Sequence, residues 1–441
     1  MHNRDLTSGS ITAGLWAFAI PLMLGNVLQQ LYNLVDTWVV GQYIGDNALA
    51  AVGSSYTLMT FLTSVIIGLS LGTSSFISIA YGRNEKDTIR NGIFMSSVVI
   101  GALTIVVMIG FYAFLDPMIR LLRVPDKLTG DMRVYLLYVF AGFFATYLYN
   151  YISNVLRGMG NSAAPLLFLA VSVILNVVLD LWFVMKLEMG IQGAAIATVI
   201  AQYVSGIGIL IYFLFACPEY RVRKADMHWA RNNFKRILSL SGFTCLQQSV
   251  MNFGILMVQG VVNSFGATVM AAFAVAVKID TIAYMPVQDF GNAFSVFVAQ
   301  NYGAGKRDRI RAGIRQSAVS VALFCAVVSA VVCAFAVPLM GAFVDGANLD
   351  TIRIGAQYLR IEGACYIGIG ILFMLYGYYR AVDMPHISVI LTVLSLGTRV
   401  VLAYVLSAIP AVNVVGIWIS IPIGWAIADV FGIWYHFARR R

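Results

Sequence analysis

The chain is short of charge, of histidine and of paired cysteines, and each shortage removes a class of function. Charged residues make up 11% of the 441 positions and hydrophobic residues 60%. A single soluble core cannot hide that much apolar surface, so lipid must cover the remainder. The four histidines, His2, His228, His386 and His436, stand in terminal or connector stretches. They lack ligand spacing and any nucleophile that sequence would pair with them, which leaves a membrane enzyme unsupported. The five cysteines, Cys217, Cys245, Cys325, Cys333 and Cys365, are odd in number, lack C-x-x-C spacing and sit mostly in apolar stretches. They read as packing residues, and neither a disulfide framework nor a metal site is indicated. The nearest approach to a phosphate loop, QNYGAGKR at 300–307, lacks the first glycine and the Ser or Thr after lysine. ATP is therefore not the direct energy source. A cleavable signal pattern is missing too: past Ser8 and Ser10 the apolar stretch runs on through Asp36, and it is expected to remain as the first span.

What the chain does have is long apolar runs. Unpaired backbone amides are not tolerated in a bilayer, and runs of about 20 residues or more that do not alternate leave helices as the consistent reading. The runs group into twelve segments at approximately 12–42, 48–80, 89–115, 130–157, 163–185, 190–216, 234–263, 267–300, 310–336, 351–380, 386–408 and 412–438. The fold class is thus an all-α membrane protein with twelve transmembrane helices. Residues 81–93, YGRNEKDTIRNGI, return as 302–314, YGAGKRDRIRAGI, with seven of thirteen positions identical. At the same offset of 221, Ala50 and Ala51 fall on Ala271 and Ala272, and Pro117 on Pro338. The halves read as duplicates of six spans each, both entering the membrane the same way round. This gives an N-lobe at 1–216, a cytoplasmic linker at 217–233 and a C-lobe at 234–441. The linker, with Pro218 and mixed charge, is the one connector long enough to join lobes that move independently. Its amphipathic end, HWARNNFKRIL, is expected at the cytoplasmic interface.

The net charge of +9 sits in short connectors with no interleaved aromatic patch, so no nucleic-acid partner is expected. Arg83, Lys86, Arg90, Arg157, the group from Arg221 to Arg236, Lys306 to Arg315, Arg380 and Arg439 to Arg441 share one side. The opposite connectors at 41–47, 262–268 and 407–413 hold no basic residue. Both termini are therefore expected in the cytoplasm. The connector with Arg120, Arg123 and Lys127 departs from the pattern, but Asp116, Asp126 and Asp131 accompany it.

Acids inside the spans are the informative residues, because a charge at mid-bilayer costs about 2.5 kcal/mol or more unless it is paired, neutralised or hydrated. Asp36 shares a helical stripe with Gln29, Tyr32 and Asn33, so that stripe is expected to face protein. Asp180 follows Asn176 by one turn, and Thr198 and Gln202 repeat the spacing on the next span, so an amide can orient the carboxylate. Two bare carboxylates are disfavoured in a low-dielectric cavity, and such a pair can load and unload H+ or Na+. Pro21 adds a bend within the first helix. In the second half Met257 matches Asp36, and at a local offset of 223 Asn176 and Asp180 become Arg399 and Ala403, so coupling is expected in the N-lobe alone. Lys278, Asp280, Asp289, Glu362 and Arg399 are expected to be buried and mutually paired, with Asp289 singled out for substrate contact. The aromatic stretch 138–151, with Tyr147, and the stretch 376–384 suit flat cationic amphiphiles, though interfacial belts use the same residues.

These motifs resemble the multidrug and toxic compound extrusion (MATE) family of the MOP superfamily over nearly the whole chain. The residues that carry the likeness are LYNLVDTWVVGQYIGDNALAAVG (31–53), RGMGNS (157–162), NVVLD (176–180), MGIQGAAIATVIAQ (189–202) and QNYGAGKRDRIRAG (300–313). The resemblance implies two six-helix lobes in a V shape and efflux of cationic drugs in exchange for H+ or Na+, with Asp36, Asn176, Asp180 and Thr198 as the coupling network. Gln247 and Gln248 stand where the NorM-like branch would place an acid, so the chain looks more similar to the DinF-like branch. The expected protein is a multidrug antiporter of the inner membrane that is not an enzyme, works as a monomer and needs no cofactor beyond its coupling ion, expected to be H+ rather than Na+. Gln29, Tyr32, Asn33, Gln202, Asp289, Met257 and Tyr147 are its substrate-contact candidates. The rival within the superfamily is a lipid-linked oligosaccharide flippase, whose cleft would need several cations where the N-lobe spans offer acids.

Overall fold

The computed structural model describes residues 4–121, 126–344 and 348–438. His2, Arg123 and Arg439 to Arg441, used above for metal and orientation arguments, lie outside the described residues. The rest is helical: α1 (Ile11–Tyr43), α2 (Asp46–Gly82), α3 (Lys86–Leu121), α4 (Asp126–Ala141), α5 (Phe143–Gly158), α6 (Ala163–Asp180) and α7 (Gly190–Ala216) make the first half. The second half holds α8 (Arg231–Asn263), α9 (Ala267–Gly303), α10 (Arg307–Ala334), α11 (Ala336–Gly341), α12 (Leu349–Gly363), α13 (Tyr366–Ala381), α14 (Pro385–Ser407) and α15 (Val415–Ala438). Among the described residues ten helices are long and apolar enough to cross a membrane, and the bent pairs α4/α5 and α12/α13 bring the number to twelve if each counts as one span. The twelve apolar segments correspond to these elements.

The duplication shows in the irregularities. The α4/α5 pair bends by 44° around Gly142 and the α12/α13 pair by 53° around Ala364 and Cys365, at matching places in the two halves. Gln202 Oε1 lies 2.0 Å from where a Cβ on residue 142 would stand, so the bend is built for glycine. Pro117 lies three residues after Phe114, which leaves helical geometry (φ −113°, ψ 15°). Its counterpart Pro338 follows Phe335, with φ −103° and ψ 16°, and there the helix breaks into α10 and α11. A proline ring crowds the preceding turn and removes one backbone donor, which accounts for both breaks.

The chain divides into two compact units, residues 1–5 with 20–245 and residues 6–19 with 246–441. Helices α1 and α8 each begin in one unit and end in the other. In the first unit the core is aromatic: Phe111, Phe140 and Phe143 stack at centroid distances of 3.5 and 4.6 Å. Helix α8 reaches this unit backbone to backbone. A Cβ on Gly72 would come within 2.3 Å of Ser241 Cα, and one on Gly68 within 2.7 Å of Cys245 Cα. The second unit centres on Phe273, Tyr358 and Trp418, the first and last stacked at 5.5 Å with Tyr358 edge-on to both.

The linker is not slack. Short 3-10 turns at Pro218–Tyr220 and Lys224–Asp226 lie against α3. Arg90 Nε pairs with Asp226 Oδ2 at 2.9 Å, both side chains being buried. Its Nη1 donates to the Glu219 carbonyl, and Asn91 Nδ2 donates to the carbonyls of Asp226 and His228. The amphipathic stretch HWARNNFKRIL runs into α8, which begins at Arg231.

Candidate functional site

Four elements of the first unit bring the site together: α1 supplies Tyr32 and Asp36, α4 supplies Tyr135, α6 supplies Asn176 and Asp180, and α7 supplies Thr198. Asp180 is fully buried, Asn176 and Thr198 nearly so, and Asp36 is 9% exposed. The i, i+4 spacing on α6 puts the Asn176 amide over the Asp180 carboxyl. With its nitrogen toward the acid, Asn176 donates to Asp180 Oδ2 at 2.8 Å and its oxygen accepts from the Thr198 backbone N–H at 3.2 Å. The opposite amide rotation offers a single 3.4 Å donation to Thr198 Oγ1 and leaves the carboxyl without a donor. Thr198 Oγ1 donates to the Ala194 carbonyl at 3.0 Å and stands 3.3 Å from the Tyr32 hydroxyl.

The two carboxyls are incompletely satisfied. Asp36 Oδ1 and Asp180 Oδ1 are buried without a hydrogen-bond partner. Asp180 lies within electrostatic reach of Asp36, and Tyr32 and Tyr135 within reach of both acids. A buried ionised carboxylate without a partner is costly, so each acid here is favoured neutral or paired with a positive charge. Tyr135 was absent from the sequence-based candidates. The periodicity of α4 gives no hint of it, because the tyrosine reads as one more aromatic in an apolar span.

The structure sorts the remaining candidates. Gln29 is exposed while Tyr32 and Asn33 are half-buried, so the polar stripe on α1 is enclosed only toward its Asp36 end. Gln202 turns away from the acids into the α4/α5 bend, its Oε1 unpartnered against Gly142. Tyr147 is buried and donates to the Ser97 carbonyl at 2.9 Å, which commits it to packing on α3. Met257 and Asp289 belong to the second unit, Met257 exposed and Asp289 buried. Asn161 of the RGMGNS turn accepts the Ala164 N–H at 3.1 Å and caps α6.

The second unit holds a polar cluster at the matching place, with Tyr358 for Tyr135 and Arg399 for Asn176. Tyr366 donates to Asp280 Oδ1 at 2.7 Å, Asp280 and Glu362 lie within electrostatic reach of each other, and Arg399 is within reach of both acids. Arg399 is the basic residue of this cluster, but its Nε is buried without a hydrogen-bond partner and it forms no ion pair with either acid among the described residues. Lys278 is no part of it: one residue from Ile279 and two from Asp280, it points off the buried face of α9 and is exposed. Among the described residues no group of three or more His, Cys, Asp or Glu is placed to hold a metal ion.

A family model described as MatE matches the chain twice, over residues 21–182 and 244–405, two stretches of equal length offset by 223. Among curated proteins, the "Probable multidrug resistance protein YpnP" of Bacillus subtilis is 30% identical, with 86% of this chain and 85% of that one covered. The "Probable multidrug resistance protein NorM" of Thermotoga maritima is 26% identical over 93% of this chain and 88% of its own length. Among solved structures, a MOP superfamily transporter from Pyrococcus furiosus superposes with a TM-score of 0.92 at 23% identity, covering 100% of this chain and 98% of that one.

Proposed function

The chain belongs to the MatE family of membrane transporters, and from that premise we propose that it is a proton-coupled antiporter exporting amphipathic, mostly cationic compounds by alternating access. The observation that carries the reading is the pair of buried acids in the first unit, each with an orphan oxygen and neither in an ion pair among the described residues. Protonation of the Asp36 and Asp180 network from outside favours release of the cargo. Deprotonation toward the cytoplasm resets the site for the next molecule. Multidrug efflux is supported by the names that the curated relatives carry.

A proton suits the geometry better than Na+. The Asn176 oxygen already accepts the Thr198 N–H when its nitrogen serves Asp180, which leaves it one lone pair for any other partner. A proton needs a single oxygen, and each carboxyl offers one. The multi-pass chain is placed by this reading in the cytoplasmic membrane with both termini inside, as the basic connectors require. The flippase alternative gains nothing from the multidrug names of the relatives.

The test is transport of a cationic dye in vesicles with pH and sodium gradients imposed separately. A pH gradient alone should drive export. Export that follows the sodium gradient and ignores pH would overturn the choice of ion, and export that follows neither would overturn the antiport reading.

A further inference from the structure

We propose that the duplicated motif is a pair of cradles, each of which grips the segment leading into the other repeat's first helix and so anchors the leading half of that helix. The first copy, at 81–93 between α2 and α3, holds residues 219–228 ahead of α8. Its contacts are the Arg90 pair with Asp226, the Arg90 bond to the Glu219 carbonyl, the two Asn91 bonds, and an ion pair between Lys86 and Glu219. The second copy, at 302–314 between α9 and α10, holds residues 6–9 ahead of α1. Just ahead of this copy, near the end of α9, Gln300 Oε1 accepts the Leu6 N–H at 3.1 Å and Asn301 Nδ2 donates to the Leu6 carbonyl at 3.1 Å. Lys306 Nζ donates to the Thr7 carbonyl at 2.8 Å. Arg309 spreads its guanidinium over the carbonyls of Leu6, Ser8 and Gly9 at 3.2, 2.6 and 2.8 Å.

All of these leader contacts of the second copy are to backbone, apart from one to the Thr7 hydroxyl. The cradle therefore fixes where the chain runs with little regard to which side chains it carries. Fixed charges on carbonyl dipoles also make strong bonds. Beyond the cradle the leading half of α1 is held further, with Thr12 Oγ1 donating to Gln316 Oε1 at 2.8 Å and the Trp16 ring 5.1 Å from that of Phe290. The leading half of α8 is held in the same manner by Gly68, Gly72 and the 3.2 Å contact between the Thr73 and Ser241 hydroxyls.

Each of these helices then passes into the other unit, α1 between Ala19 and Ile20 and α8 between Cys245 and Leu246. The α1 changeover lies one residue before Pro21, where the helix lacks a backbone donor. Asp36 stands sixteen residues past the changeover at Ile20, about 24 Å along the axis. One continuous helix thus has its cradled end in the second unit and an ion-binding acid in the first. The anchored leader makes α1 the rod through which a change at Asp36 acts on the second unit. This inference rests on the proton-coupled reading for what happens at Asp36, but the grip itself does not.

The experiment uses the full chain with K306A and R309A combined, a deletion of residues 6–9, and R90A for the other cradle. Hydrogen exchange in detergent should rise at residues 6–12 for the first two and at residues 219–230 for R90A. Dye binding at equilibrium should stay within about twofold of the parent, while pH-driven efflux falls by about tenfold. Unchanged exchange at 6–12 in the double variant would overturn the cradle. Faster exchange with undiminished efflux would overturn the rod and leave a structural tether. If the double variant does not fold, the deletion decides by the same two readouts. A parent protein whose efflux ignores pH, with the cradle exchange pattern intact, would instead sink the proton-coupled reading alone.

Discussion

Asp36→Asn should abolish coupling while leaving the protein folded and able to bind its cargo. The substitution keeps the shape of a side chain whose Oδ1 has no partner and removes a buried charge that no cation neutralises among the described residues, so no loss of stability is expected. The coupling loss can be worked out as a slope. A gradient of one pH unit supplies about 1.36 kcal/mol for each proton exchanged, or about tenfold in the dye ratio at equilibrium. Two orphan carboxyl oxygens, on Asp36 and Asp180, cap the exchange at two protons, so one pH unit can support at most about a hundredfold ratio. In proteoliposomes with the membrane potential clamped at zero, the logarithm of the dye ratio plotted against the imposed pH difference should rise with a slope between one and two for the parent. For Asp36→Asn the slope should fall to zero, while exchange of labelled for unlabelled dye across the same membrane persists. An Asp36→Asn slope equal to that of the parent would refute the assignment, because the accumulated ratio would then owe nothing to this carboxyl.

Asn176→Ala removes the 2.8 Å donor to Asp180. A bond to a charged group is worth about 1.5–3 kcal/mol, so coupled efflux should drop by about tenfold or more, whereas Thr198→Val, losing neutral bonds of about 0.5–1.5 kcal/mol, should cost about two- to tenfold in the same dye assay. Gly72→Val places side-chain atoms against the α8 backbone and should destabilise by about 1–3 kcal/mol or more, read as earlier thermal unfolding in detergent, while Gly53→Ala, with open space at its Cβ, should not. Tyr366→Phe removes the 2.7 Å donor to Asp280 in a cluster that already has Arg399. It should lower thermal stability and leave the slope of dye ratio against pH difference untouched, and a changed slope would show that the second unit also exchanges protons.

The spans were legible because a bilayer leaves a helix no alternative, and apolar length alone then marks each one. The span read at 190–216 is α7 to the residue, and the repeat at 81–93 and 302–314 foretold matched halves; the breaks before Pro117 and Pro338, which were not foreseen, fall at matching positions. The core of the site was legible for a related reason: carboxyls in apolar spans are costly, so Asp36 and Asp180 stand out, and the four-residue spacing ties Asn176 to Asp180. Tyr135 and the turn of Gln202 into the α4/α5 bend were not legible. An aromatic or an amide within a span gives no sign of which neighbour it meets, and a bend at one glycine among many leaves no period to read.

What the sequence determined by itself is the set of spans, the duplication and the pair of acids Asp36 and Asp180, since all three follow from the cost of polar groups in lipid and from local spacing; Asp429, buried in α15, was not singled out. What only the tertiary structure decided is the company each acid keeps. In the first unit four helices enclose two carboxyls with an amide and hydroxyls and, among the described residues, no ion pair, whereas in the matching place of the second unit Arg399 lies within electrostatic reach of two acids. The tertiary structure also decided the use of the repeated motif, which holds the leading segment of the opposite repeat. Both depend on contacts between residues more than a hundred positions apart, and packing geometry, not local periodicity, brings such residues together.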